Sequence, residues 1–120
     1  MIFQFFVGRF VFGGPFSCIN LPIEKKNARE IVEYIVKNPA ANEVVEETYC
    51  NIRGYFPEAD FRLEVYRDPG GGMNSKLALY IQTEDEPEEA LDKLDQFDQN
   101  FWIDRMDSYD PYLQVYLEYR

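Results

Sequence analysis

Two stretches of apolar–polar alternation constrain this chain most. Phe61, Leu63 and Val65 alternate with Arg62, Glu64 and Tyr66, and Leu77, Leu79 and Ile81 alternate with Ala78, Tyr80 and Gln82. A period of two sends successive side chains to opposite faces, the signature of a strand with one face buried. Between them lies Asp68-Pro69-Gly70-Gly71-Gly72-Met73-Asn74-Ser75, a run of turn formers that predicts a loose hairpin connection. A third strand is expected after Asp110-Pro111, with Leu113, Val115 and Leu117 on one face and Gln114, Tyr116 and Glu118 on the other. Such a sheet needs a cover for its apolar side, and the remaining periodicities supply helices.

Asn27-Ala28-Arg29-Glu30 reads as a capping box, with Asn27 as N-cap and Glu30 reaching back. Ala28, Ile31, Val32 and Ile35 then recur at helical spacing until Asn38-Pro39 stops the helix. A second helix is expected from about Asn42, with Val44, Val45, Thr48, Tyr49 and Ile52 inward. Gly54 stands where a left-handed residue would end it. Glu84-Asp85-Glu86-Pro87 opens a third helix, because proline fits the first turn and acids there favour the positive end of the dipole. Its inward residues are expected to be Leu91, Leu94, Phe97, Phe101 and Trp102.

The fold class is therefore α+β: two N-terminal helices, then β-β-α-β. The crossover makes the second and third strands parallel. The simplest sheet has the order 2-1-3, with the first strand between the other two and antiparallel to both. Helices should cover one face, against Leu63, Leu79 and Val115, leaving Tyr66, Tyr80 and Tyr116 on the other. Residues 23–120 read as one domain, in keeping with a 120-residue chain. Residues 1–22 are set apart by six phenylalanines and Arg9 as the lone charge. They lack the basic start and unbroken apolar run of a secretory signal, and are too short and interrupted for the ~20 apolar residues of a membrane span. Pro15-Phe16-Ser17-Cys18 has proline where a lipoprotein cleavage box has an aliphatic residue. The segment reads as an extra strand, a tail, or the product of a start codon assigned too far upstream.

Composition removes whole classes of chemistry. With no histidine, every triad, dyad or zinc site that relies on imidazole is excluded. Cys18 and Cys50 are too few for a disulfide framework or a thiolate zinc site; as reduced structural thiols they fit a cytoplasmic protein. Twelve basic against twenty-two acidic residues give a net charge of −10, the wrong sign for binding a phosphate backbone. The charge is localised. Residues 84–110 hold eleven acids and two bases, whereas the rest of the chain holds eleven acids and ten bases.

Several constellations carry possible chemistry. Asp92, Asp95 and Asp98 on the third helix form a docking face for a basic partner, or else a solvated one. Tyr66, Tyr80 and Tyr116 offer amphipathic area of the kind found at protein interfaces. Stacking of RNA bases is opposed there, because Arg62 alone brings positive charge against Glu64 and Glu118. Asp104, Asp107 and Asp110 suggest oxygen ligands for a divalent ion, but lack the alternating spacing and central glycine of a calcium loop. Gly70-Gly71-Gly72 with Ser75-Lys76 has the wrong order for a phosphate-binding loop, and a strand rather than a helix follows. Asp98, Phe101, Trp102 and Asp104 look like a motif, although aromatics at helical spacing belong first to a core.

Tyr55-Phe56-Pro57, the two strands after it, Glu88-Glu89-Ala90-Leu91, Phe97-Asp98, Phe101-Trp102-Ile103-Asp104 and Leu117-Glu118-Tyr119 together resemble a family of small bacterial proteins of cyanobacteria and other environmental bacteria. The resemblance covers roughly residues 49–120. A Trp-Trp pair is more usual in that family where this chain has Phe101-Trp102. It implies the fold and brings no activity, cofactor or catalytic residue.

From the sequence we expect a non-catalytic regulatory or interaction protein with no cofactor, an antitoxin- or immunity-like binder of a basic protein partner. Self-association stays open, and neither nucleic acid nor membrane is an expected partner. Two rival classes are a carboxylate-dependent, metal-using enzyme built on Asp104 to Asp110, and a peripheral membrane protein that uses the Phe-rich N-terminus.

Overall fold

The computed structural model describes residues 17–67 and 75–120; the segment of residues 1–22, expected as an extra strand, a tail or a misassigned start, lies outside them up to residue 16, as do residues 68–74 of the hairpin loop. A one-turn 3₁₀ segment, Ser17–Asn20, leads to a two-residue strand β1, Glu24–Lys25. Helices α1, Ala28–Lys37, and α2, Ala40–Ile52, come next. Strands β2, Asp60–Arg67, and β3, Ser75–Thr83, form the hairpin. Helix α3, Pro87–Phe97, runs into a π-helical turn, Asp98–Trp102, then a single-turn helix α4, Met106–Tyr109, and strand β4, Leu113–Tyr119.

The α+β class holds, but the sheet order does not match the expected one. The order is β1-β2-β3-β4, with β1 parallel to β2, β2 antiparallel to β3, and β3 parallel to β4. The second long strand, not the first, is central. Burial explains the exchange. Leu77, Ala78, Leu79 and Ile81 of β3 are all fully buried, whereas β2 carries Asp60, Arg62, Glu64 and Arg67. A strand flanked by a long partner on each edge suits the chain's most apolar segment. The other edge of β2 is already occupied by β1, which two charged residues gave no means of anticipating.

Register sets the two faces. Leu63, Leu79 and Val115 align in one row, and Arg62, Tyr80 and Tyr116 align in the next. The first row faces the helices as expected. Ile31 and Ile35 of α1 and Val44, Val45, Thr48, Tyr49 and Ile52 of α2 are buried against it, with Tyr34 inside where Ala28 had been expected. Tyr49 meets Phe61 edge to face, with ring centroids 5.2 Å apart.

Local signals were partly misread. Asn27 does cap α1, in a left-handed conformation (φ 57°), and its Oδ1 accepts from the Glu30 N–H at 3.4 Å. Glu30 does not reach back; its carboxylate pairs with Arg67 at 2.8 Å. Gly54 does not adopt a left-handed conformation: the chain leaves α2 through right-handed turns, with Gly54 N–H donating to the Asn51 carbonyl at 3.3 Å. Helix α2 begins at Ala40, so Asn42 lies within it and is buried. Its Oδ1 accepts from the Cys18 N–H at 2.8 Å and its Nδ2 donates to Ser17 Oγ at 3.1 Å, which pins the 3₁₀ segment to the helix. Burial pushes the Cys18 thiol up to about 12, with the Glu46 charge adding to the shift. That thiol stays protonated and packs as a small apolar group.

Asn42→Ala should cost about 1–3 kcal/mol in urea unfolding, because it leaves the buried Cys18 N–H without its acceptor. Thr48→Val should act in the opposite direction. The Thr48 Oγ1 is buried with no hydrogen-bond partner, so an isosteric methyl should raise stability by about 1 kcal/mol.

Candidate functional site

The open face of the sheet centres on the three tyrosines. Tyr80 and Tyr116 stack at 5.2 Å between centroids, and Tyr66 lies 6.4 Å from Tyr116. Period-two placement and register bring them together, because Tyr116 is directly opposite Tyr80. The Arg62 guanidinium lies 4.4 Å over the Tyr80 ring. It is also held from both sides, donating to Glu118 at 2.7 Å and 3.3 Å and to Glu64 at 3.2 Å. Gln82 donates to Glu118 at 2.9 Å. The Arg62 and Gln82 hydrogen bonds hold the Glu118 carboxyl below the ordinary glutamate value, and the Glu118 hydrogen bond raises Arg62 further. Burial, then the Glu64 charge, raises the Tyr80 phenol. The face is a rigid aromatic layer whose polar groups satisfy one another, the build of an interface core with its rim.

Helix α3 presents a different surface. Pro87 occupies its first turn. Ala90, Phe97 and Phe101 are buried, with Leu94 partly so. Leu91, expected inside, is 56% exposed. Ala90 takes the inward position, and one residue of helix rotates Leu91 out to the acidic side. Asp92, Asp95 and Asp98 are all exposed. Lys93 does not neutralise them; its Nζ pairs with Asp85 at 2.9 Å and rests 5.6 Å over the Phe56 ring. Among the described residues, ion pairs engage only Asp85 and Asp110 of the eleven acids between 84 and 110. Desolvation, then repulsion from Asp95, raises the Asp98 carboxyl above the ordinary aspartate value.

Past α3, Phe97, Phe101, Trp102 and Tyr109 form an aromatic cluster with centroids 5.4–6.3 Å apart. These side chains do pack as core. Tyr109 donates to Glu47 of α2, and burial together with that carboxylate pushes its phenol up to about 12. Asp104 and Asp107 are exposed, while Asp110 is taken up by Gln114 and by Lys76, 3.8 Å away. Among the described residues, no group of three acidic, Cys or His side chains is arranged to hold a metal ion. The three aspartates are not brought together. No helix among the described residues is long and apolar enough to cross a membrane.

A cleft of about 610 Å³ lies between α1 and the hairpin strands, lined in part by Tyr34, Lys37, Arg67, Lys76 and Tyr112. Two of its cations are already matched, Arg67 by Glu30 and Lys76 by Asp110. No family model, curated protein or solved structure matches this chain. Sequence reasoning missed the inward use of Lys93 and the Glu47–Tyr109 tie. A lone lysine in an acidic run is a legible signal for the first; the second joins residues 62 apart in the chain and has none.

Asp98→Asn should raise stability at neutral pH. A raised folded pKa means that the folded chain binds this proton more tightly than the unfolded one. The charged form therefore costs stability, which returns as pH falls through the raised value towards the ordinary 3.8. The advantage of the variant, measured by thermal melts across that range, should shrink below it.

Proposed function

We propose that this chain is a non-catalytic interaction module of the antitoxin- or immunity-like kind, which covers a basic surface on a partner protein through α3. One observation carries the reading: the exposed side of α3 sets Leu91 among Asp92, Asp95 and Asp98, with no cation of the described chain neutralising the three aspartates. Unscreened acids steer a basic partner and gain energy when it docks, and an exposed leucine among them provides an apolar contact for a complementary pocket. Burial, and then repulsion from Asp95, raises the Asp98 carboxyl, and an incoming Lys or Arg would offset the second of these. The tyrosine face is the second contact candidate, with Arg62 already saturated by its own carboxylates.

Affinity capture with the full chain at low and moderate salt tests the proposal. A basic protein should co-purify in stoichiometric amount and be released by salt. Combined Asp92→Lys, Asp95→Lys and Asp98→Lys substitution should slow its association by about tenfold or more, and Leu91→Ser should speed its dissociation. Equal capture by the reversed chain would reduce α3 to a solubilising face.

A further inference from the structure

Strand β4 closes the sheet on one side with an edge that is paired to nothing among the described residues. Hydrogen bonding to β3 shows which of its groups point outward. Leu77 N–H donates to the Tyr112 carbonyl at 2.9 Å, and Arg120 N–H donates to the Thr83 carbonyl at 3.0 Å. In a parallel ladder this parity continues along the strand. Residues 112, 114, 116, 118 and 120 therefore turn their main-chain groups towards β3. Those of Leu113, Val115, Leu117 and Tyr119 point away from the sheet.

Proteins usually guard such an edge with lysine, proline, a bulge or brevity. The opposite edge is guarded: β1 has two residues, Glu24 and Lys25, with Lys26 following. Strand β4 has seven residues, no lysine or proline, an unbroken register from Leu113 to Tyr119, and Glu118 as its one charge. Val115 and Leu117 are only partly buried although they belong to the core side, and Tyr119 is 46% exposed.

From this edge we propose that the chain forms a two-fold dimer in which β4 pairs antiparallel with β4 of a second copy, centred on Tyr116. The strand is self-complementary about that point. Val115 meets Leu117 of the second copy, Leu113 meets its Tyr119, and each of these residues presents the outward main-chain groups that a hydrogen-bonded antiparallel pair requires. Tyr116 faces its own counterpart as a non-hydrogen-bonded pair, where Cα atoms approach to about 4.5 Å and side chains are closest. Gln114 then lies opposite Glu118 of the second copy, an amide donor against a carboxylate, so no like charges are opposed along the strand. The Tyr80–Tyr116 stack continues across the two-fold axis. The dimer does not depend on the acidic-helix reading, since that surface lies on α3.

Mass of the full chain measured by sedimentation and light scattering over a range of concentrations should reach twice 14.2 kDa. The dimer should tighten with added salt, because each copy carries −10. Leu117→Pro removes an outward N–H that a free edge does not need; it should give a folded monomer, while Leu117→Ala stays dimeric with affinity reduced a few-fold. Gln114→Glu opposes Glu118 across the axis and should weaken the dimer several-fold, with salt restoring it. Amide exchange gives a reading independent of variant folding: Val115 and Leu117 should gain protection with concentration, whereas Tyr116 and Glu118 are protected throughout. A monomer at every concentration overturns the proposal, as does a dimer indifferent to both Leu117→Pro and Gln114→Glu. A chain that dimerises only after residues 1–16 are removed also overturns it, by showing that this segment occupies the edge instead.

Discussion

The parallel pairing of β3 with β4 is the constraint on which the rest of the structure depends. Parallel neighbours cannot be joined by a tight turn, so the chain must leave β3, cross the fold and return to start β4 at the same end. Residues 84–112 make that crossing, and everything distinctive about the chain outside the sheet is contained in it: helix α3, the π-helical turn, the aromatic cluster and the acidic run. The crossing is anchored by few contacts of high value. Phe97 and Phe101 are buried, Tyr109 binds Glu47, and Lys93 ties the helix back to Asp85 at its own start.

Charge follows from the same constraint. The helix-facing rows of β2, β3 and β4 are apolar, so the acids that make the chain strongly negative are held where solvent reaches them. Two surfaces result, with opposite electrostatic character. On the sheet face Arg62 is saturated by Glu64 and Glu118, and its hydrogen bond holds the Glu118 carboxyl below the ordinary value. On α3 the carboxylates lack counter-charges and Asp98 is raised. A face that satisfies itself gains rigidity, and one left uncompensated gains from a basic partner. The two surfaces therefore suit different roles within one small domain.

Much of this was legible in the chain. The alternation of Phe61 to Tyr66, Leu77 to Gln82 and Leu113 to Glu118 located three strands, because burial of one face imposes a period of two whatever the neighbours are. The same pattern grouped Tyr66, Tyr80 and Tyr116 on one face before any pairing was known. Helix α2 disclosed most of its inward residues, since Val44, Val45, Thr48, Tyr49 and Ile52 sit at unambiguous spacing, but not Ala41 and Asn42 of its first turn, which are buried as well. Helix α3 was harder. Ala90 and Leu91 are adjacent and both apolar, and hydropathy prefers the larger, yet it is Ala90 that the fold turns inward. Gly54 illustrates a related failure, because a glycine after a helix permits a left-handed turn without demanding one.

Local pattern and composition determined, by themselves, the α+β class, the strand faces, the helix spans within a few residues, the absence of imidazole chemistry and the concentration of charge in one segment. Each of these depends only on a residue and its near neighbours in the chain. Strand order was decided by the tertiary structure, which gave β3 a long partner on each edge, in keeping with the full burial of Leu77, Ala78, Leu79 and Ile81, and set β1 against β2. It also decided the fate of individual side chains: Asn42 as an internal tie, Leu91 turned outward, Arg62 locked between two carboxylates and the outer edge of β4 left open. Those outcomes join residues tens of positions apart, and the energy that selects among them is released only when the elements pack together.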